Sequence, residues 1–221
     1  MSIKLVIFDL DGTLLDTSEG IKSSVKYVIE KYNLQLPTEN ELNKFIGPPV
    51  QASFKHLYDL SNEMSFAMAA LFREHYKSAD LFKAKPYNNV LDVLKYLRSI
   101  GIKTAVATYK REDYTKLLLD HFGLSKHLDI ICGSDFDGKL KKKDIILNVV
   151  NKSGFSINDT IMVGDTVLDA EGASIIGMGF IAVLYGFGFK NIEEILEIHC
   201  LYAIDNIAQI NEIIKNMKEG I

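Results

Sequence analysis

Asp9-Leu10-Asp11-Gly12-Thr13 follows directly on an apolar run that ends at Phe8. Two carboxylates one residue apart in a loop can face the same crevice. Gly12 permits the sharp turn that aims backbone N–H groups at a ligand. One such carboxylate can attack phosphorus as a covalent nucleophile. Its neighbour can serve as general acid and then general base, if its surroundings raise its pKa. Taken alone, an Asp-x-Asp loop is usually no more than a solvated Asx turn.

Three further sites are of the same kind. Thr108 closes the apolar run Ile102–Ala107, where its hydroxyl could hold a phosphate oxygen; in isolation such a threonine is a turn or cap residue. Lys141-Lys142-Lys143 precedes a helical segment that begins at Asp144. A positive charge there would stabilise a phosphoryl group in transit, although consecutive lysines are ordinarily a wet surface. Gly164-Asp165-Thr166-Val167-Leu168-Asp169 follows the run Thr160–Val163. Asp165 and Asp169 are spaced i, i+4 and would share one face of a helix that they open. Gathered with Asp9 and Asp11, they would suit Mg²⁺, a hard cation that takes oxygen ligands. Asp165 as a plain helix cap is the simpler use of the same residue.

These side chains work together only if the fold brings their loops to one edge. Ile3–Phe8, stopped by Asp9 and Gly12, reads as a buried strand. Similar runs lie at Ile102–Ala107, Asp129–Cys132, Thr160–Val163 and Gly179–Leu184, with a weaker one at Leu201–Ile204. Helical spacing fills the gaps. In Asn88–Ile100, Val90, Leu91, Leu94, Leu97 and Ile100 share one face, and Gly101 ends the segment. In Glu112–Phe122, Leu117, Leu118 and Phe122 are stopped by Gly123. Asp144–Lys152 turns Ile145, Ile146, Val149 and Val150 inward. The alternation predicts an α/β fold: a Rossmann-like, doubly wound parallel sheet with helices on both faces. Such sheets bind ligands beyond the carboxyl ends of their strands, which is where all four sites fall.

Between about Asp16 and Asp80 the alternation breaks and only helical signals occur. Ile21, Val25, Val28, Ile29 and Tyr32 repeat at helical spacing, and Met64–Tyr76 is helical again. Pro37 and Gly47-Pro48-Pro49 punctuate the block, which is too long for an ordinary loop. Residues 16–81 are therefore expected to form an inserted helical domain, with residues 1–15 and 82–221 as the core. The exits are placed near Leu15–Thr17 and Phe82–Pro86.

With its sites in the order Asp-x-Asp, Thr, Lys, Asp-x-x-x-Asp, the chain resembles the haloacid dehalogenase (HAD) superfamily, within it the phosphoglycolate-phosphatase-like branch. The matching residues are Asp9-Leu10-Asp11-Gly12-Thr13-Leu14-Leu15-Asp16, Ala107-Thr108-Tyr109-Lys110, Lys142 ahead of Asp144-Ile145-Ile146, and Val163-Gly164-Asp165 with Asp169. The resemblance spans essentially the whole chain. It takes in the loop Gly133-Ser134-Asp135-Phe136-Asp137-Gly138 and the helical insert, which is similar to the family's cap. It implies a Mg²⁺-dependent phosphatase of small phosphorylated metabolites that works through an aspartyl-phosphate. Asp9 would attack phosphorus, and Asp11 would protonate the leaving oxygen and then activate water. Thr108 and a backbone N–H would hold phosphate oxygens, and Lys142 would neutralise charge. Asp9, the main-chain carbonyl of Asp11, and Asp165 would ligate Mg²⁺, while Asp169 would act through water or by orienting Lys142. The family pattern of lysine, any residue, acid and two aliphatics selects Lys142, with Lys143 as the alternative. Tyr109 stands where relatives often carry Ser or Asn, and its bulk either crowds the site or turns away. A cap closing over the sheet edge would exclude bulk water and admit metabolites rather than folded proteins.

Composition narrows the remaining classes. The 221 residues, 48% hydrophobic and 24% charged, fit a core domain with an insert and exclude disorder or a coiled coil. A net charge of −4 offers no general attraction for a polyanion, so no nucleic-acid partner is expected. No uncharged apolar stretch reaches the roughly 18 residues that span a bilayer, so no membrane association is expected. The start of the chain lacks the basic and small-residue features of a signal peptide. Cys132 and Cys200 have no metal-type spacing, which points to a reduced, cytoplasmic setting. The histidines, His56, His75, His121, His127 and His199, show no ligand spacing either. No long apolar stripe demands a partner, so a monomer is expected, with a dimer left open. On the same scaffold a halide-releasing hydrolase has no use for Asp11. A phosphosugar mutase stays open. Phosphonate cleavage would want a Schiff-base lysine in the insert, where Lys22, Lys26, Lys44 and Lys55 lie. A receiver domain shares the acids, threonine and lysine, but it is shorter, has no helical insert, and carries its acidic pair after the first strand with the phosphoacceptor further on, whereas here the pair Asp165/Asp169 comes late.

Overall fold

The apolar runs pair side by side in parallel. The structure, a computed structural model, describes residues 3–135 and 139–219. Residues 136–138 of the Gly133–Gly138 loop lie outside the described residues. In chain order the elements are β1 (Leu5–Phe8), β2 (Leu15–Asp16), α1 (Ser18–Lys31), α2 (Glu39–Asn43), α3 (Val50–Tyr58), α4 (Asn62–His75), β3 (Lys85–Pro86), α5 (Val90–Ser99) and β4 (Lys103–Arg111). They continue with α6 (Glu112–His121), β5 (Ile130–Ser134), α7 (Lys142–Ser153), β6 (Thr160–Gly164), α8 (Val167–Ile175), β7 (Gly179–Val183), β8 (Tyr202–Ile204) and α9 (Gln209–Glu219). They divide into two compact units, residues 1–15 with 86–221, and Asp16–Lys85.

The first unit holds a parallel sheet in the order β5-β4-β1-β6-β7-β8. The chain builds outward from β1 to β4 and β5, then returns to the other side of β1 for β6, β7 and β8. The topological switch therefore lies at β1, the strand that ends at Asp9. Phe8 is level with Val106 on one side and Val163 on the other. Asp9, Thr108 and Asp165 consequently emerge along one edge.

Leu5 and Ile7 of β1 pack with Ala105, Met162 and Phe180, under Ile145, Ile146 and Val149 of α7 and Ala170 and Ala173 of α8. Val6, Phe8, Val106, Ile161 and Val163, which alternate with them, are also fully buried. Burial on both faces explains the unbroken apolar character of these strands. Two core assignments shift. Leu91 and Leu117 are exposed, and Val93 and Leu119 take the inward places. In α5 the buried set is Val90, Val93, Leu94 and Leu97, so Leu91 falls on the flank. The amphipathic helix α9, which the sequence reading did not anticipate, buries Ile210 and Ile214.

The second unit is helical. Among its elements α1 and α3 both pack on α4, around Val25, Val28, Ile29, Phe54, Met68 and Ala69, all fully buried. Thr38 and Glu41 form a reciprocal capping box at α2, and the Ser61 hydroxyl accepts the Met64 N–H at 3.1 Å at α4. The unit ends at Lys85, a little past the expected bound at 81 and within the exit placed at Phe82–Pro86. Gly20 donates its N–H to the Lys83 carbonyl at 3.0 Å, Lys83 pairs with the buried Asp80 at 2.8 Å, and Lys85 reaches Asp16 at 3.6 Å. The chain crosses between units at β2 and β3, which pair with each other. Among the described residues no helix is long and apolar enough to cross a membrane.

Candidate active site

β1 delivers Asp9 in extended register, its N–H bonded to the Val163 carbonyl at 2.9 Å. The Asp9 side chain is 7% exposed. Lys142, at the start of α7, places its ammonium 2.5 Å from Asp9 Oδ1 and 2.5 Å from Asp169 Oδ1. A side chain on Gly172 of α8 would run into the lysine stem, so a glycine there lets that stem pass. Lys143, the alternative, is only half-buried.

Asp165 and Asp169 meet differently from the sequence reading. They do not share a helix face, and Asp165 does not cap. Thr166 is the N-cap of α8, and Asp169 closes a capping box, its Oδ2 accepting the Thr166 N–H at 3.0 Å and hydroxyl at 2.7 Å. Asp165 lies ahead of the helix, in the bend that follows β6. Its Oδ2 accepts the Phe187 and Gly188 N–H groups at 2.7 and 3.1 Å. Its Oδ1 is buried and has no hydrogen-bond partner among the described residues. Oxygens of Asp9, Asp165 and Asp169 all lie within 4.8 Å of one another.

This cluster is short of positive charge. Burial pushes the Asp9 carboxyl up to about 8; Lys142 pulls it back, and Asp169, Asp165 and Asp11 push it further. Burial, then Asp169, raises Asp165 to about 7 against the pull of its two backbone donors. Burial works against the Lys142 charge, but Asp169 and Asp9 outweigh it and hold the ammonium well above the usual lysine range. Of these three buried acids the Lys142 ammonium touches two, Asp9 and Asp169. A divalent cation held by the Asp165 oxygen would supply what is missing, and an all-oxygen donor set would suit a hard ion.

Thr108 is buried at the point where the pairing of β4 with β5 shifts register. Its hydroxyl accepts the Lys110 N–H at 3.2 Å. Tyr109 points to the opposite face of the strand, as alternation requires. Its hydroxyl accepts the Lys142 N–H at 2.9 Å, and its ring lies 5.7 Å from the Lys142 ammonium. It braces the start of α7. Asp11 is buried beside Lys110, whose Nζ is 3.0 Å from Asp11 Oδ2. All six residues singled out from the sequence, Asp9, Asp11, Thr108, Lys142, Asp165 and Asp169, thus fall at the carboxyl edge of the first unit.

Two contributors had been missed. Lys110 closes the matching stretch Ala107-Thr108-Tyr109-Lys110, but the sequence reading gave it no role. The segment Tyr185-Gly186-Phe187-Gly188 acts through its backbone and so carries no chemical side-chain signal, although a glycine pair just past a strand is a usable hint. A Cβ on Gly186 or on Gly12 would collide with the Asp165 carboxylate, and Gly12 also has a φ of 88°. The Tyr185 hydroxyl donates to the Thr13 carbonyl at 2.9 Å and ties this segment to the Asp9 loop. In the helical unit, Lys22 and Lys26 pair with Glu39, and Lys55 bonds Asn62.

Comparison with known proteins agrees with this geometry. The description haloacid dehalogenase-like hydrolase matches residues 6–183. A 5′-nucleotidase of Pseudomonas aeruginosa is 31% identical over 84% of this chain and 85% of its own length. A phosphoglycolate phosphatase of Aquifex aeolicus is 29% identical over 84% of this chain and 86% of its own. The tyrosine-protein kinase PtkA of Mycobacterium tuberculosis is 30% identical over 85% of this chain, which spans 64% of that protein. The crystal structure of a predicted phosphatase from Clostridium acetobutylicum superposes with a TM-score of 0.92 at 34% identity, covering 98% of this chain and 100% of the other. With a Rossmann-like core, acids gathered at its switch point and a match across most of its length, the chain belongs to the haloacid dehalogenase-like hydrolase family.

Proposed function

We propose that this protein is a Mg²⁺-dependent phosphatase of small phosphate monoesters, with Asp9 as nucleophile. The observation that carries the proposal is the cluster of Asp9, Asp165 and Asp169 within 4.8 Å around the single ammonium of Lys142. The names of the relatives, a nucleotidase and a phosphoglycolate phosphatase among them, support the same class of ester.

In the first step an Asp9 oxygen attacks phosphorus and the bond from phosphorus to the ester oxygen breaks. Asp11 gives its proton to the departing alcohol. In the second step water attacks the aspartyl-phosphate and Asp11 takes the proton, which releases phosphate and restores Asp9. Thr108 holds a phosphoryl oxygen, and Lys142 balances the charge that develops on the group. Asp9, the Asp11 carbonyl and Asp165 would hold Mg²⁺. When bound, the ion neutralises phosphoryl charge. Both Asp169 oxygens are engaged, by Thr166 and by Lys142, so Asp169 is assigned to aiming the lysine.

A phosphate-release screen over nucleoside monophosphates, phosphoglycolate and p-nitrophenyl phosphate, with and without Mg²⁺, tests the proposal. Mg²⁺-dependent release that disappears in Asp9→Asn is expected. Release that persists in Asp9→Asn, or no release from any ester, contradicts it.

A further inference from the structure

A lysine with its side chain only 6% exposed needs a reason, because burying an ammonium costs free energy unless the charge is paired. Lys110 has its pair in Asp11, at 3.0 Å, and the Asp11 side chain is itself 8% exposed. The two come from adjacent strands. β1 and β4 pair in register, so the loop after Phe8 and the segment after Val106 run on side by side.

The base of Lys110 is also fixed. Its N–H is bonded to the Thr108 hydroxyl, and the Thr115 hydroxyl donates to the Arg111 carbonyl next to it at 3.0 Å. Gly133 of β5 lies so close to the Lys110 carbonyl that a side chain at 133 would not fit. The Asp11 backbone is tied by its loop, with the Gly12 N–H bonded to the Leu15 carbonyl at 2.9 Å and the Thr13 N–H to the Leu10 carbonyl at 3.3 Å, and its carboxylate is met by Lys110. Asp11 stands beside a glycine in the left-handed region. A carboxylate that must reach first a leaving oxygen and then a water gains from being held within about half an ångström of its working place.

We infer that Lys110 is a positioning residue, one that holds the Asp11 carboxylate for both proton transfers. The inference rests on the phosphatase proposal and deepens it. Lys142 attends the nucleophile and Lys110 attends the acid/base, so the site has a separate ammonium for each working carboxylate.

The test compares unsubstituted protein, Lys110→Met, Lys110→Arg, Asp11→Asn and the Lys110→Met/Asp11→Asn double variant. Each hydrolyses p-nitrophenyl phosphate in saturating Mg²⁺, with melting temperature as a check on folding. The p-nitrophenolate leaving group needs little protonation, which keeps the residual rate of Asp11→Asn readable. Lys110→Met is expected to lower kcat by about tenfold or more, while KM moves by less than about threefold. Lys110→Arg is expected to recover most of that loss. In the Asp11→Asn background, Lys110→Met is expected to change kcat by less than about twofold, since a residue acting through Asp11 has nothing left to act on. Should Lys110→Met fail to fold, Lys110→Gln takes its place in both backgrounds. An equal loss in both backgrounds overturns the inference, as does a rise in KM with kcat unchanged, which would make Lys110 a substrate contact. Loss of the parent proposal is told apart by the unsubstituted protein, which would then show no Mg²⁺-dependent turnover.

Discussion

Lys142 and Lys143 are neighbours of the same type, and only their surroundings separate them. Lys142 is 4% exposed and touches two carboxylates, whereas Lys143 is half-buried. Removing the Lys142 amine leaves Asp9 and Asp169 buried without their cation. Lys142→Ala should lower kcat by about 10²–10³-fold and, without divalent ions, destabilise the fold by about 3–5 kcal/mol. Lys143→Ala should stay within about 0.5 kcal/mol of the parent and retain activity. Steady-state kinetics and urea unfolding of both variants check this, and the opposite ranking would move the working lysine by one residue. Asp9, Asp11, Thr108, Asp165 and Asp169 were legible in sequence because each lies just past an apolar run that reads as a strand, and Lys142 because it stands just ahead of the acid and two aliphatics that open a helix. Lys110 was not. Its pairing with Asp11 is a contact across two strands, and nothing in Thr108-Tyr109-Lys110 tells a buried ammonium from a wet one.

At the scale of elements, the strands were readable because parallel strands buried on both faces are apolar at every position. Helix phase was less so. Leu91 and Leu117 are leucines on amphipathic helices, and a one-residue error in phase turns a core position into an exposed one. The exit of the helical unit, placed at Phe82–Pro86 from sequence, falls at Lys85, while the pairs Lys83–Asp80 and Lys85–Asp16 beside it are contacts that spacing does not reveal. The Gly186–Gly188 segment was invisible for a different reason, because its contribution is two backbone N–H donors to Asp165. It yields a prediction of its own. A Cβ on Gly188 would meet the Asp165 backbone, so Gly188→Ala should displace the Asp165 carboxylate. Mg²⁺ affinity should fall by about tenfold or more, as for loss of a group that orients a metal ligand. Far-UV circular dichroism should not change. Isothermal titration with Mg²⁺ decides it, and parent-like affinity would show that the segment does not aim Asp165.

At the scale of the whole molecule, the crowded acids tie stability to pH. Asp9 and Asp165 hold their protons in the folded state to about 8 and 7, against 3.8 for an ordinary aspartate. Their contribution to stability is intact below that ordinary value and is lost as pH rises through the folded values. Without divalent ions this part of the stability should therefore fall between about pH 4 and pH 8. Mg²⁺ should raise the melting temperature more at pH 8 than at pH 5, where protons compete for the same oxygens. Asp165→Asn should flatten both dependences. Thermal melts across this range, with EDTA and with Mg²⁺, are the check, and an equal Mg²⁺ effect at both pH values would contradict the charge balance drawn for the site. The central claim is that phosphorus passes through Asp9. Its most direct test is to mix the Asp11→Asn variant, in which hydrolysis of the intermediate is slowed, with p-nitrophenyl phosphate and Mg²⁺, quench in acid, and map the phosphorylated residue by mass spectrometry. A hydroxylamine-labile phosphate on Asp9, absent from the Asp9→Asn/Asp11→Asn double variant, is the predicted result. Phosphate on any other residue, or continued turnover by Asp9→Asn, would contradict it.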